Sequence, residues 1–265
     1  MAINFDGNGD YLKKDSVNIF NDSSYSSTSY SFSFSCWIKP NGRPTQSACS
    51  TSICEGGIFE QYSGTSSSQG RLGLYLLSNG KIRQRYHGSY ITSNTAHIST
   101  STSTWYHIMG FWEHAERGMY VNGTVSDYTN TNNTGTKTTD HSTSGLNFNI
   151  GRAYTGGPGN EYFFDGDIAE VAGWKTKLTE PEITSLSKGF SPLFIRPSEL
   201  LGYWSLGGSY PDYIDLIQSN TVTAEGDPTV AEHPRIFYPT SPQIGVPSGT
   251  VVPNAMHHYR MLRCS

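Results

Sequence analysis

Phe163-Phe164-Asp165-Gly166-Asp167-Ile168-Ala169-Glu170-Val171-Ala172-Gly173-Trp174, followed by Lys177-Leu178-Thr179-Glu180-Pro181-Glu182-Ile183, is the stretch on which the fold turns. Its first part is an apolar run with acids set into it, which reads as a buried strand. Its second part opens a helix. Thr179 and Glu182 form a capping box, Pro181 suits the first turn, and Gly189 stops the helix. Carboxylates this close on a strand admit two opposite uses: the acid and nucleophile of a sugar hydrolase, or a structural strand in a non-catalytic sandwich.

Strand signals surround this stretch. Phe32, Phe34, Cys36 and Ile38 alternate with Ser31, Ser33, Ser35 and Trp37 up to Pro40. Leu72, Leu74 and Leu76 alternate again, and Asn79-Gly80 predicts a type I′ hairpin returning through Lys81 to Tyr86. Trp105, His107, Met109 and Phe111 share one face opposite Tyr106, Ile108 and Trp112, and Met119-Tyr120-Val121 leads into a second turn at Asn122-Gly123. The polar stretch from Asp127 to Ser144 reads as a long exposed loop. Beyond Gly189, Ser191 to Pro197 is extended, Leu200 to Leu206 is another apolar strand, and proline and glycine dominate from Pro239.

Composition agrees with an all-β chain. Only 15% of the residues are charged, 28 are glycine, and the 13% aromatics must supply much of the core. A net charge of −4 gives no electrostatic footprint for nucleic acid or anionic membrane, and no apolar run approaches the roughly 20 residues that span a bilayer. No basic region followed by an apolar stretch marks a signal peptide at the N-terminus. Cys36 reads as a small buried hydrophobe; Cys49 and Cys54 lie close enough in a polar loop to bridge, without a zinc pattern.

The order of these blocks resembles the laminin G-like branch of the concanavalin A-like jelly rolls. The resemblance runs through Phe5-Asp6-Gly7-Asn8-Gly9-Asp10-Tyr11-Leu12, Phe32 to Pro40, and Trp105-Tyr106-His107-Ile108. It continues with Met119-Tyr120-Val121-Asn122-Gly123, Asn149-Ile150-Gly151, and Phe164 to Val171 leading to Leu178-Thr179 and Ile183. It implies an antiparallel β-sandwich with one short helix over residues 1–190, followed by a sheet-completing strand or small second lobe (191–238) and an extended Pro/Gly-rich arm (239–265). The segment from Leu200 to Pro234 resembles the tail that follows such domains in tailed-bacteriophage proteins, which implies a virion component.

Several residues are candidates for chemistry. Laminarinase-type relatives set catalytic acids on one strand, and Asp165, Asp167 and Glu170 occupy roughly that register. Asp165 is shorter than the glutamate nucleophile of that pattern, however, and Glu170 needs a bulge to reach the same face. Asp165 or Asp167 beside a glycine-rich loop would suit calcium. Asp6, Asn8 and Asp10 form a short D-x-N-x-D string that reads as a turn. Lys81, Arg83 and Arg85 read as a solvated basic strand face, with a basic stripe meeting an acidic partner surface as the alternative. His107 reads as a hydrogen-bonded core histidine, and no nucleophile elbow or phosphate-binding glycine motif is present. Tyr62, Tyr90, Tyr128 and Tyr154 are candidate platforms for stacking a pyranose.

These readings predict a non-enzymatic virion structural protein, made in the host cytoplasm. It would be a capsid decoration, cement or fibre component that contacts the major capsid protein or fibre subunits as a homo-oligomer. The alternative is a carbohydrate-binding adhesin for cell-surface glycans, with calcium as a cofactor; a glycoside hydrolase ranks last.

Overall fold

The computed structural model describes residues 1–17, 19, 31–44, 54–63, 72–86, 89–99, 103–113, 116–131, 146–154, 161–207 and 212–239. They form two antiparallel sheets packed face to face. The first sheet runs β10 (Thr124–Ser126), β9 (Glu116–Val121), β8 (Tyr106–Glu113), β3 (Ser31–Pro40), β15 (Asp165–Trp174), β1 (Ala2–Asp6) and β19 (Thr229–Ala231), with β16 (Leu200–Trp204) also paired to β15. The second runs β11 (Tyr128–Thr131), β7 (Ser89–Ser93), β6 (Ile82–Tyr86), β5 (Leu72–Leu77), β4 (Glu55–Ser63), β12 (Leu146–Ile150), β2 (Tyr11–Lys14), β18 (Val222–Glu225) and β17 (Asp212–Tyr213). A small hairpin, β13 (Arg152–Tyr154) with β14 (Glu161–Phe163), lies against β4.

Alternation decides what enters the space between the sheets. Phe32, Phe34, Cys36 and Ile38 on β3 meet Phe59, Leu74, Phe148 and Ile150 from the second sheet in one core. Phe34 meets Phe59 edge-on at 5.4 Å, and Trp204 stacks on Phe148 at 4.7 Å, so aromatic pairs cross from sheet to sheet. The serine face of β3 is buried as well, because a second apolar layer covers it. Helix α1 (Glu180–Ser187) brings Ile183 and Leu186 onto Met109, Phe111, Trp174 and Tyr203. Leu178 N–H donates to Ser33 Oγ at 3.0 Å, which satisfies a hydroxyl that would otherwise be buried alone. Glu182 accepts from the Thr179 N–H at 2.8 Å, as the capping box predicts, and Gly189 takes φ +90° where the helix ends.

Residues after the helix return to both sheets: β16 pairs with β15, β18 with β2, and β19 with β1. The expected arm lies outside the described residues from 240 onward. Cys36 is buried and free, and Cys54 is disulfide-bonded; its expected partner Cys49 lies outside the described residues.

Four expectations are corrected. Asn122 and Gly123 both take positive φ (52° and 77°) and make the two-residue type I′ hairpin. At Asn79-Gly80 only Gly80 does, at +79°, and its N–H reaches Leu77 O at 2.8 Å, so the connection is a tight turn followed by a left-handed glycine. The predicted loop from Asp127 begins instead with strand β11, because Tyr128 turns inward against the core. His107 is buried against Trp37 (5.4 Å between rings), yet neither ring nitrogen has a hydrogen-bond partner among the described residues. Lys81, Arg83 and Arg85 do not form a free basic face, since both arginines are tied to the buried Glu55.

Candidate functional site

The acidic strand comes apart as a site. Asp165 sits between the turn at Gly7 and the loop at Gly42, where a Cβ on Gly42 would collide with its carboxylate. Burial, and then the charge of cross-strand Asp6, raise the pKa of Asp165. Asp167 is only 3% exposed and gives one oxygen to Lys39 Nζ (2.6 Å) and the other to Asn4 Nδ2 (2.6 Å). Glu170 occupies the bulge the sequence required, with φ 55° where the pairing of β15 to β3 slips between Ala169 and Ala172. Its partners are separate from those of the two aspartates. Tyr203 and Tyr238 donate their hydroxyls to its two oxygens at 2.7 and 2.8 Å, and His233 Nε2 lies 3.2 Å away. Burial, and then the Glu170 charge, push both tyrosines well above their usual range. Glu170 is 1% exposed and pins the returning segment to the first sheet.

A saccharide cannot reach Asp167 or Glu170 as they stand, and a retaining pair needs two carboxyls about 5 Å apart facing one sugar. Among the described residues no group of three His, Cys, Asp or Glu side chains is placed to hold a metal ion. The Asp6-Asn8-Asp10 string is a turn: Asp6 accepts from Asn8 N–H at 2.7 Å, and Asp10 accepts from Asp6 and Asp227 N–H at 3.2 and 2.7 Å.

A different surface gathers the remaining candidates. Period-2 geometry sends Leu72, Leu74 and Leu76 inward and leaves Gly73 and Tyr75 on the outer face of the second sheet. Pairing then aligns Tyr90, Arg85, Gly73, Glu60, Asn149 and Lys13 in one row across six strands. Without a side chain at Gly73, Tyr75 can lie across the sheet and donate to Glu60 Oε1 at 2.6 Å. Gly57 plays the complementary part: any Cβ there would strike the Arg152–Ala153 backbone, so its absence lets β13 lie directly on β4. The hairpin is fastened by Tyr154 N–H to Glu60 Oε2 (2.7 Å) and by Arg152 to the Tyr62 hydroxyl (3.0 Å) and Glu161 (2.9 Å).

Aromatic rings and guanidinium groups therefore alternate across this face. Tyr62 and Tyr154 stack at 5.0 Å, and Arg152 lies 3.9 Å from the Tyr11 ring. Arg83 lies 4.3 Å from the Tyr90 ring, with Arg85 at 5.6 Å. Tyr11, Tyr90 and Tyr154 are half-buried. Of the four tyrosines predicted as platforms, Tyr62, Tyr90 and Tyr154 share this face. Tyr128 does not: it packs against the core and donates its hydroxyl to Arg117 O at 2.6 Å. Sequence reasoning missed Tyr11, Glu55, Glu60, Tyr75 and Arg152. The Gly56-Gly57 pair inside a strand was the available signal for a second backbone lying on the sheet.

Residues 6–184 match the family described as the concanavalin A-like lectin/glucanases superfamily. A search of curated proteins gave no match. Among solved structures, a Bacteroides ovatus protein provisionally named as carbohydrate-binding superposes with TM-score 0.58 at 21% identity, covering 88% of this chain. This chain spans 60% of that protein's length. A heptameric SAP-like pentraxin of Limulus polyphemus (TM-score 0.48, 14% identity, 84% of this chain and 94% of that one) overlays more loosely. So does the CBM40 of a Ruminococcus gnavus sialidase, bound to sialyllactose (0.46, 12%, 70% and 96%). Likeness at such identity speaks for the fold. With two thirds of its length matched by the family and the sandwich in place, the chain belongs to the concanavalin A-like lectin/glucanases superfamily, in its laminin G-like branch.

Proposed function

We propose that this chain is a carbohydrate-binding protein that does not cleave its ligand, and that it holds sugars on the outer face of the second sheet. One observation carries the reading. Tyr90, Tyr154 and Tyr11 are held in fixed orientations on that face by arginine and glutamate partners, while helix α1 covers the first sheet instead. Rigid tyrosines provide flat apolar area at small entropic cost, and the neighbouring Arg, Glu and Asn groups supply hydrogen bonds to hydroxyls. Family membership supports the same class of ligand.

The absence of hydrolysis is inferred from the separate engagements of Asp165, Asp167 and Glu170. The expected virion role and its particle partners rest chiefly on the arm beyond residue 239 and on the tail resemblance, and the fold and family favour sugar recognition over them. A glycan array probed with the full chain, with and without chelator, tests the reading. Tyr90→Ala and Tyr154→Ala should each weaken the strongest interaction by about tenfold, equivalent to about 1.4 kcal/mol. Chelator-insensitive binding would remove calcium from the account, and undiminished binding by both variants would remove this face.

A further inference from the structure

We infer that the face preferentially takes an acidic saccharide, one whose carboxylate docks on the Arg83–Arg85 pair beside Tyr90; this rests on the carbohydrate-binding reading above. Most cations near this face have their own acid: Lys13 pairs with Glu225 at 2.7 Å and Arg152 with Glu161 at 2.9 Å. Arg83 and Arg85 instead share one carboxylate, that of Glu55, which reaches them across β5. Two guanidinium groups thus share one directly bonded carboxylate, while Glu60, in the row of Arg85, accepts from the Tyr75 hydroxyl and the Tyr154 N–H.

The donors are also incompletely used. Arg83 bonds through Nη1 to Glu55 and through Nε to Thr92 Oγ1 at 3.0 Å, leaving Nη2 without a described partner. Arg85 bonds Glu55 only through Nη2, at 2.8 and 3.1 Å, and its shielded Nε has no partner. A guanidinium carries five N–H groups in a planar fork that matches a carboxylate. Here the forks are already oriented, by Glu55 and Thr92 below and by the Tyr90 ring at 4.3 and 5.6 Å beside them. Such preorganisation lowers the entropic cost of binding. The arginine side chains stay 16% and 22% exposed, so the guanidinium groups are reachable yet poorly hydrated.

The test needs no variant at its core. An array carrying hexuronate-, sialate- and sulfate-bearing oligosaccharides beside neutral ones is probed with the full chain. The best carboxylated hit is then titrated calorimetrically as the free acid and as its methyl ester. The acid should bind at least about tenfold more tightly than the ester, with the gap shrinking as salt rises. In Arg83→Gln and Arg85→Gln, checked for folding by urea midpoint, acid and ester should bind about equally, while Arg85→Lys retains part of the gap. Equal affinity for acid and ester, or hits confined to neutral or sulfated glycans, overturns this proposal and leaves the sugar-binding reading standing. An array with no hits overturns both.

Discussion

Trp204→Ala puts the largest single stress on the claim that residues beyond the family match are part of the same core. Trp204 lies on β16, outside residues 6–184, yet it is fully buried, stacks on Phe148 at 4.7 Å and donates its indole N–H to Asn220 O at 3.0 Å. Truncating a buried aromatic costs about 3–5 kcal/mol through lost transfer energy and the cavity left behind. The stranded Asn220 carbonyl, part-buried, adds up to about 1 kcal/mol unless water reaches it. We expect a loss of about 4 kcal/mol, a large share of the roughly 5–15 kcal/mol that stabilises a domain. With a urea m-value of about 3 kcal/mol/M, the midpoint should fall by about 1.3 M. The assay is equilibrium urea unfolding followed by circular dichroism, with Phe194→Ala, 46% exposed, as the comparison expected to stay within about 0.5 kcal/mol. A midpoint shift under about 0.3 M for Trp204→Ala would refute a shared core and make the region from residue 200 an independent appendage.

Three further outcomes follow from the same geometry. Burial holds the His107 imidazole down to about 3, below its ordinary 6.5, so the unfolded state binds more protons between those values. Stability should therefore fall as pH drops from about 6.5 toward 3, by at most about 1.4 kcal/mol per pH unit from this group, and His107→Gln should flatten that slope in urea titrations. Gly57→Val should drive the β13–β14 hairpin off β4, costing more than about 2 kcal/mol and exposing Tyr154 to faster hydrogen exchange at residues 152–154. Glu170→Ala strands the Tyr203 and Tyr238 hydroxyls, with an expected cost of about 3 kcal/mol, and should leave glycan affinity unchanged because its ligands lie on the other sheet. A drop in polysaccharide cleavage in that variant would revive the hydrolase reading.

The legible parts of this fold were those set by neighbours in sequence. Alternation in 31–40, the Asn122-Gly123 turn and the Thr179 cap depend on local geometry, and each stands as read. The site was only half legible, because its composition depends on pairing between distant strands. Tyr62 and Tyr90 could be named as platforms, but the row joining Tyr90 to Arg85, Glu60 and Asn149 exists only once β4 to β7 and β12 are in register. Tyr128 was misjudged for the same reason, since the inward direction of its ring follows from pairing with Ser93. Arg83 and Arg85 looked solvated because Glu55, their partner, sits about 30 residues away on a strand two places over. Conversely, the spacing of Asp165, Asp167 and Glu170 suggested a catalytic cluster, whereas long-range partners engage Asp167 and Glu170 separately.

Hydrogen-exchange mass spectrometry of the full chain, with and without a saturating glycan from the array, tests the central claim most directly. The account predicts added protection in residues 55–63, 82–86, 89–92, 152–154 and 161–163, which belong to the second sheet and the hairpin lying on it. Protection confined to residues 165–174 and 200–204 of the first sheet, or recovery of a shortened oligosaccharide from the mixture, would contradict it.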